Sequence, residues 1–204
     1  MARLGMVIDL KRCIGCNACT LACKQENGTP EGIHYARVVT QEVGVYPRTK
    51  RTFLPVLCNH CSDAPCAEAC PTGATYIRPD GIVMVDHKKC IGCRACNVAC
   101  PYMNRHFVER GLLKHGYSSD GISPFEVLKF ADFDEGTNIK CTLCAHRVDE
   151  GLEPACVVTC PTDARIFGDW DEENGKLQRL VRERKSWILL PEYETKPNVY
   201  YLDE

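Results

Sequence analysis

The sequence predicts an α+β fold in which a strand, a cysteine-rich loop and a short helix occur twice. Two apolar, β-branched segments, residues 6–9 and 82–86, have the composition of short strands. Each strand leads into a loop of closely spaced cysteines, and residues 18–25 and 95–99 are predicted to form the short helices that close these loops. The two units therefore indicate an internal duplication.

The duplication is visible in two pairs of matching segments. Residues 8–16 (IDLKRCIGC) match residues 85–93 (VDHKKCIGC), and residues 70–74 (CPTGA) match residues 160–164 (CPTDA). A glycine, Gly15 or Gly92, lies in each of the two repeated cysteine loops. We expect a side chain at either position to crowd a bound group.

The composition is that of an ordinary water-soluble protein. The chain has 204 residues, of which 45% are hydrophobic and 25% charged, with a formal net charge of −2. This charge does not favour a nucleic-acid partner. No stretch approaches the roughly 20 apolar residues of a membrane span, and the first ten residues lack the pattern of a signal peptide, so we expect neither.

The cysteine content is the exceptional feature. The 16 cysteines fall into four groups with the common pattern C-x2-C, a variable gap, and then C-x3-C. The groups are Cys13, Cys16, Cys19 and Cys23 (group one); Cys58, Cys61, Cys66 and Cys70 (group two); Cys90, Cys93, Cys96 and Cys100 (group three); and Cys141, Cys144, Cys156 and Cys160 (group four). Proline follows the last cysteine of groups two, three and four, but Lys24 follows that of group one.

This spacing favours iron–sulfur clusters over disulfides or zinc. In the run C-x2-C-x2-C-x3-C-P, three thiolates bind one cubane and the fourth binds a neighbouring cluster. Group three has this run in full. Zinc prefers paired C-x2-C knuckles, so group four alone would also suit zinc, and a zinc-stabilised scaffold is the simplest alternative.

Groups two and three resemble a small bacterial two-cluster ferredoxin, because only 19 residues separate Cys70 from Cys90. The resemblance implies that these groups exchange their last cysteines, and we extend the exchange to groups one and four. The resulting ligand sets are Cys13, Cys16, Cys19 and Cys160 (set 1); Cys58, Cys61, Cys66 and Cys100 (set 2); Cys90, Cys93, Cys96 and Cys70 (set 3); and Cys141, Cys144, Cys156 and Cys23 (set 4).

A wider resemblance covers roughly residues 3–170. The order of the groups, the x11 gap in group four, the CPTGA segment and residues 140–147 (KCTLCAHR) resemble the iron–sulfur subunits of the dimethyl sulfoxide reductase family of molybdenum enzymes. This resemblance implies two ferredoxin-like βαββαβ halves and the same ligand sets. It also implies four [4Fe–4S] clusters. Some relatives have another residue in place of the second cysteine of group three and carry a [3Fe–4S] cluster, whereas this chain has Cys93 at that position.

The expected organisation has four parts. Residues 1–50 and 140–170 form one ferredoxin-like domain with groups one and four, and residues 51–101 form the other with groups two and three. Residues 102–139 are an insertion with a short helix near residues 125–130. Residues 171–204 form a C-terminal helix and an extended tail, and the helix is predicted to cover the protein's own core.

The implied function is electron transfer without catalysis by this chain. The sequence shows no nucleophile–base arrangement, nucleotide loop or flavin motif. The resemblance implies a large catalytic partner subunit that alone carries a molybdenum or tungsten bis-pterin cofactor. The insertion, with Ser123-Pro124 and Leu128-Lys129, is most similar to respiratory arsenate reductase. The alternatives are a polysulfide, thiosulfate, tetrathionate or dimethyl sulfoxide reductase subunit, or a free polyferredoxin.

The resemblance also implies the surroundings of the chain. A membrane anchor subunit or a quinol-linked donor would exchange electrons with it, and the chain itself would not span the membrane. Periplasmic placement by co-export with a signal-bearing partner is expected, with a cytoplasmic location as the alternative.

Several residues near the cysteines have two open interpretations. His60 and His146 are expected to be hydrogen-bonding or packing residues and not ligands. Lys140 and Arg147 either tune a cluster through their positive charge or lie on the surface.

Overall fold

A four-stranded sheet joins the two ends of the chain in the computed structural model, which describes residues 2–203. The strands are β1 (Leu4–Asp9), β2 (Ala36–Val45), β3 (Arg48–Leu57), β4 (Thr75–Ile77), β5 (Val83–Val85), β6 (His106–Phe107), β7 (Asn138–Ile139), β8 (Arg165–Asp169), β9 (Ser186–Trp187) and β10 (Val199–Leu202). The helices are α1 (Ala18–Asn27), α2 (Pro65–Glu68), α3 (Ala95–Ala99), α4 (Pro124–Phe130), α5 (Ala145–Val148), α6 (Ala155–Val158) and α7 (Lys176–Glu183). The predicted α+β class is confirmed.

The central sheet has the strand order β8-β1-β10-β9. β1 pairs antiparallel with β8 and parallel with β10. The strand before group one therefore lies beside the strand after group four, which brings these two groups to the same end of the sheet. Met6, Ile8 and Tyr201 have no exposed surface and form the centre of the core, because β1 is covered on both faces.

A long hairpin links cysteine group one to cysteine group two, and the sequence analysis did not predict it. β2 and β3 pair antiparallel over their full ten residues. Only its base is buried, through Ala36, Val56 and Leu57, while its outer end is exposed. The domain boundary expected between residues 50 and 51 falls within β3.

The second cysteine unit has its own small core. The hairpin β4–β5 lies beside α2 and α3, and the buried cluster contains Cys61, Cys66, Val83, Cys96 and Tyr102. The predicted strand at residues 82–86 and helix at residues 95–99 are observed as β5 and α3. This unit is built mainly around cysteine side chains, with few large aliphatic residues.

The insertion between groups three and four is closed at its ends by β6 and β7, which pair antiparallel. Its helix α4 starts with a capping box, in which Ser123 and Glu126 satisfy each other's backbone N–H groups, and Pro124 occupies the first turn. Lys129 extends from α4 over Gly28 and donates a hydrogen bond to the carbonyl of Glu26 at 2.7 Å. The insertion therefore packs on the end of α1.

The C-terminal tail contributes to the protein's own core, as predicted for its helix. Leu177 of α7 is fully buried against Val7, Trp170 and Leu202. The last strand, β10, completes the central sheet between β1 and β9. Removing the tail would therefore expose β1 on one side.

Candidate iron–sulfur sites

The two repeated loops adopt the same unusual backbone conformation. Gly15 and Gly92 both have φ of 69°, and Asn17 and Arg94 both have φ of 61° immediately before the helices α1 and α3. Left-handed residues at matched positions turn the chain so that consecutive cysteines face the same side of the loop. The internal repeat seen in the sequence is thus a repeat of backbone geometry.

The structure gives a reason for the two glycines that lies within the protein itself. A Cβ on Gly15 would lie 2.3 Å from the ring of Phe53, and a Cβ on Gly92 would lie 2.1 Å from the carbonyl oxygen of Gly136. The close neighbours are protein atoms of β3 and of the insertion. Both positions also have the left-handed φ that favours glycine.

All sixteen cysteines lie among the described residues, and each has an unbridged sulfur. Group one and group four come together because β1 and β8 are paired and α1 packs on α6. Cysteines from both groups line one small cavity, and they are the four of set 1: Cys13, Cys16, Cys19 and Cys160.

The remaining cysteines of groups one and four also lie near each other. Cys23, on α1, is 4% exposed and interacts electrostatically with Cys141, Cys144 and Cys156. Burial, reinforced by these three sulfurs, raises the pKa of the Cys23 thiol. Four thiolates at such a place need a cationic centre between them, since they would otherwise repel one another.

Groups two and three have the same arrangement. A second cavity is lined by the cysteines of set 2: Cys58, Cys61, Cys66 and Cys100. Burial, with the charge of the neighbouring sulfurs, raises the pKa of Cys61 to about 12. On the other side of the unit, Cys96 interacts electrostatically with Cys90 and Cys70, while Cys93 is exposed at the loop surface.

Hydrogen bonds to sulfur repeat in the two matching CPT segments. The backbone N–H of Thr75 lies 3.5 Å from the Cys70 sulfur, and that of Ala164 lies 3.3 Å from the Cys160 sulfur. Burial alone would raise the pKa of Cys70, but the N–H groups and the Thr72 hydroxyl lower it to about 7. These donors stabilise a thiolate, the form of cysteine that binds iron.

The donor sets fit a cluster with four separate corners. In sets 1 and 2 the sulfurs surround a cavity, and each set takes one cysteine from a distant group. Within residues 2–203, no three Cys, His, Asp or Glu side chains lie close enough together to ligate one metal ion. A cubane of iron and sulfide requires such separated thiolates.

The two histidines have hydrogen-bonding roles, as predicted. His60 is 1% exposed, and its Nδ1 accepts a hydrogen bond from the backbone N–H of Val83 at 3.1 Å. Burial, together with the charge of Lys140, holds the pKa of His60 well below its usual value. His146 is exposed and pairs with Glu26 at 2.8 Å.

The two cations singled out from the sequence lie in different environments. Arg147 is partly exposed and pairs with Glu26 at 3.3 Å. Lys140 is 2% exposed and donates hydrogen bonds to the carbonyl oxygens of Val83 and Cys141. Sequence analysis missed two further buried cations, Arg105 and Arg165, which lie 6% and 3% exposed beside the cysteines. The only signal for Arg165 is that it replaces Thr75 in the second copy of the repeat.

Comparison with protein families supports this interpretation of the cysteines. Two family profiles match, both described as a 4Fe-4S dicluster domain. One matches residues 49–116 and again residues 117–170, and the other matches residues 12–74. In the described part of the chain, no helix is both long and apolar enough to cross a membrane.

Similar proteins are iron–sulfur subunits of several reductases. The chain is 44% identical to a protein of Halobacterium salinarum named as a dimethyl sulfoxide reductase iron–sulfur subunit, over 100% of this chain and 80% of that protein. It is 40% identical to the arsenate respiratory reductase iron–sulfur subunit of Shewanella sp. strain ANA-3, over 98% and 96%. It is 39% identical to a tetrathionate reductase subunit of Salmonella typhimurium, over 98% and 72%.

Proposed function

The chain belongs to the 4Fe–4S dicluster family, with the iron–sulfur subunits of these reductases, and we propose that it relays electrons through four [4Fe–4S] clusters. It is a non-catalytic electron-transfer subunit, and its partner is a large catalytic subunit with a molybdenum or tungsten bis-pterin centre. The observation that carries the proposal is the convergence of cysteines from distant groups around shared cavities.

The ligand sets follow the grouping of the sulfurs. Set 1 and set 4 each combine cysteines of groups one and four, and sets 2 and 3 combine groups two and three. Electrostatic contact of Cys13 with Cys160, and of Cys23 with three group-four cysteines, supports the exchange in the first half. The contacts of Cys61 with Cys100 and of Cys96 with Cys70 support it in the second.

The order of the clusters follows from the neighbours of the sulfurs. Cys156 of set 4 interacts with Cys19 of set 1, so these sets are adjacent in the first half. Cys141 of set 4 interacts with Cys58 of set 2, which joins the two halves. We therefore assign the order set 1, set 4, set 2, set 3. Bound clusters supply one-electron chemistry, and the chain fixes their spacing and surroundings.

The two expected domains are proposed as the two cluster-binding units. Residues 1–50 and 140–170 would hold sets 1 and 4, and residues 51–101 would hold sets 2 and 3. Pairing of β1 with β8 supports the first unit, and the separate buried cluster around Cys61 and Cys96 supports the second. The insertion at residues 102–139 and the tail at residues 171–204 pack on both units: α4 contacts α1 and β10 pairs with β1, while Tyr102 and Lys196 contact the second unit.

The terminal reductase is proposed to act on arsenate, with dimethyl sulfoxide, tetrathionate, polysulfide or thiosulfate as alternatives. Similarity over 98% of this chain and 96% of the arsenate reductase subunit supports arsenate. A membrane anchor or quinol-linked donor would complete the path, with the complex in the periplasm after co-export or in the cytoplasm.

A free polyferredoxin is the second candidate, and one observation favours it. The insertion packs on α1 and the tail on β1, so each segment has a structural role within the chain itself. The case for a catalytic partner therefore depends on the similar proteins and not on these two segments.

Anaerobic purification of the full chain from its native host tests the proposal. We expect about sixteen irons and about sixteen acid-labile sulfides per chain, as four cubanes require. We also expect a large co-purifying chain that contains molybdenum or tungsten. Zinc in place of iron would refute the cluster proposal, and a monomer with full iron but no partner would favour the polyferredoxin.

A further inference from the structure

Three cations are buried beside the cysteines without a carboxylate partner. Arg105, Lys140 and Arg165 are 6%, 2% and 3% exposed. Among residues 2–203, none of the three forms an ion pair with aspartate or glutamate, although other cations of the chain do. A buried cation without a counter-charge is costly, so the native protein must supply negative charge near each of them.

Arg165 lies where the ligand sets of the first half meet. Its guanidinium nitrogen is 3.8 Å from the sulfur of Cys156, which belongs to set 4. It also interacts electrostatically with Cys19 of set 1. One of its nitrogens is buried with no hydrogen-bond partner. The guanidinium therefore faces set 1 and set 4 together and keeps an unused donor.

Arg105 has the equivalent place in the second half. It interacts electrostatically with Cys66 of set 2 and with Cys96 of set 3. Two of its nitrogens are buried without a partner. A guanidinium thus lies between two ligand sets in each half.

The two arginines reach these places from unrelated positions in the sequence. In the first half, Arg165 directly follows the CPTDA segment. In the second half, Thr75 occupies the matching position, and its hydroxyl accepts a hydrogen bond from Arg105 at 2.8 Å. Arg105 comes from beyond group three, so the same charge is placed twice by different residues.

Lys140 lies at the remaining junction, between the halves. Its ammonium group interacts electrostatically with Cys141 of set 4 and with Cys66 of set 2. Its hydrogen bonds go to the carbonyl oxygens of Cys141 and Val83, which belong to different halves. The charge therefore lies where an electron would cross from one half to the other.

We propose that Arg165, Lys140 and Arg105 are positioning residues that place one positive charge at each of the three junctions along the path of sets 1, 4, 2 and 3. The inference rests on the proposed four-cluster function. Each cluster that gains an electron from its neighbour becomes more negative, and the neighbour that loses it becomes less so. A buried cation between them stabilises the reduced state of both, because little water is present to screen its charge.

Neutral variants of the three residues test this role. Arg165→Gln, Lys140→Gln and Arg105→Gln are purified anaerobically as the full chain, with the partner if one co-purifies, and their clusters are titrated by electron paramagnetic resonance. Each variant is expected to make reduction of the two flanking clusters at least tenfold less favourable, a shift of about 59 mV to lower potential for a one-electron couple. The other two clusters should keep their potentials.

Arg179→Gln is the matched control, because Arg179 is an exposed arginine on α7. It removes the same charge with no expected change in any potential, since solvent screens it. Full iron content with unchanged potentials in all three buried variants would overturn the inference and leave the four-cluster function intact. Absence of iron from the unmodified chain would refute the function itself.

If a glutamine variant loses iron, the charge-conserving variants Arg165→Lys and Arg105→Lys show whether the lost charge or the lost guanidinium shape is the cause. If charge is the requirement, these should keep all four clusters at potentials near those of the unmodified chain. If the lysine variants also lose iron, the shape of the guanidinium is what matters, and the proposal is overturned. For Lys140, the variant Lys140→Arg serves in the same way.

Discussion

The helices α1 and α3 begin alike and end differently. Both follow a left-handed residue with φ of 61° and carry the third cysteine of a repeated loop. α1 continues for 10 residues to Asn27, while α3 stops after 5 residues at Ala99. Cys100 is extended because Pro101 follows it, whereas Lys24 lets α1 continue past Cys23. The identity of the residue that follows the fourth cysteine, proline or lysine, therefore accounts for the different lengths of the two helices.

The two helices also differ in what packs against them. The longer α1 supports the insertion, through Gly28 and Lys129, and the tail covers β1. Cys23 is consequently 4% exposed, while the matching Cys100 is only partly buried. The cysteine loops thus repeat, whereas the solvent exposure of matched cysteines differs between the two copies.

The largest effect is expected from serine substitution of these two matched cysteines. Under the exchanged ligand sets, Cys100→Ser should disrupt the cluster of set 2, and Cys23→Ser that of set 4, each with loss of up to about four irons. Iron analysis and electron paramagnetic resonance would identify the missing cluster. If each variant instead lost the cluster bound by the other three cysteines of its own group, the exchange would be wrong.

Alanine substitution of the two loop glycines should separate the halves next. Gly92→Ala should destabilise the protein by about 3 kcal/mol, because the new methyl group meets the backbone oxygen of Gly136 and the residue is left-handed. Gly15→Ala meets the Phe53 ring, which can turn aside, so about 1 kcal/mol is expected for its left-handed φ.

Anaerobic urea unfolding, followed by far-ultraviolet circular dichroism, measures the free energy of unfolding of both glycine variants. The common φ of 69° makes each variant the control for the other. If Gly15→Ala lowered the free energy of unfolding more than Gly92→Ala does, β3 would be shown to yield less to a new methyl group in its loop than the insertion does.

A smaller difference is expected between two matched aspartates. Asp9 has a side chain that is 3% exposed and pairs with Arg184 of the tail, whereas Asp86 is 32% exposed and pairs with Lys89 at 3.5 Å. Asp9→Asn should cost about 2 kcal/mol, since it leaves a hydrogen-bonded cation without its partner, and Asp86→Asn less than about 0.5 kcal/mol.

The pH dependence gives a second test of Asp9. Burial alone would raise the pKa of Asp9, but Arg184, the Lys11 N–H and Arg12 together hold it below its usual value. A lowered folded pKa contributes stability that is complete above the unfolded value of about 3.9 and is lost as pH falls through the folded value. The difference between Asp9→Asn and the unmodified chain should thus stay constant from about pH 5 to pH 7. A difference that shrinks within that range would refute the assignment.

The parts of the fold that sequence analysis predicted are those set by local patterns. β1, β5, α1 and α3 adjoin the repeated cysteine loops, where Gly15 and Pro101 mark the boundaries. The β2–β3 hairpin was missed because most of its residues are exposed and no apolar alternation marks it. The parallel pairing of β10 with β1 joins residues about 190 positions apart, which no local pattern encodes.

The candidate sites show the same division. Spacing identified all sixteen candidate ligands, because the distance between cysteines is itself the geometric constraint. It did not identify Arg105, whose charge is placed beside Thr75 by tertiary contact from 30 residues away. The residues around the cysteine sites come from segments that are distant in sequence and meet only in the folded chain, so no local pattern marks them.

The smallest effect is expected at the residues that distinguish the two helix ends. Lys24 donates hydrogen bonds to the carbonyl oxygens of Pro30 at 3.0 Å and Ile33 at 2.8 Å, which holds the loop after α1. Lys24→Met should cost about 1 kcal/mol, because these half-buried carbonyls lose a charged donor. Burial, opposed by the negative charge of Cys23 and Glu31, lowers the pKa of Lys24 to about 8. Between this value and the unfolded value the unfolded chain binds more protons than the folded chain, so the cost of Lys24→Met should be larger at pH 9 than at pH 7.

Pro101→Ala is the counterpart in the other copy. Removing the proline frees Cys100 to continue α3, but the loop has no lysine to hold it, so we expect a cost of about 0.5 kcal/mol from the more flexible unfolded chain. Urea unfolding at pH 7 and pH 9 compares the two variants. If Lys24→Met were harmless at pH 7, the longer α1 would be maintained by other contacts at its end, such as its packing on the insertion, and not by Lys24.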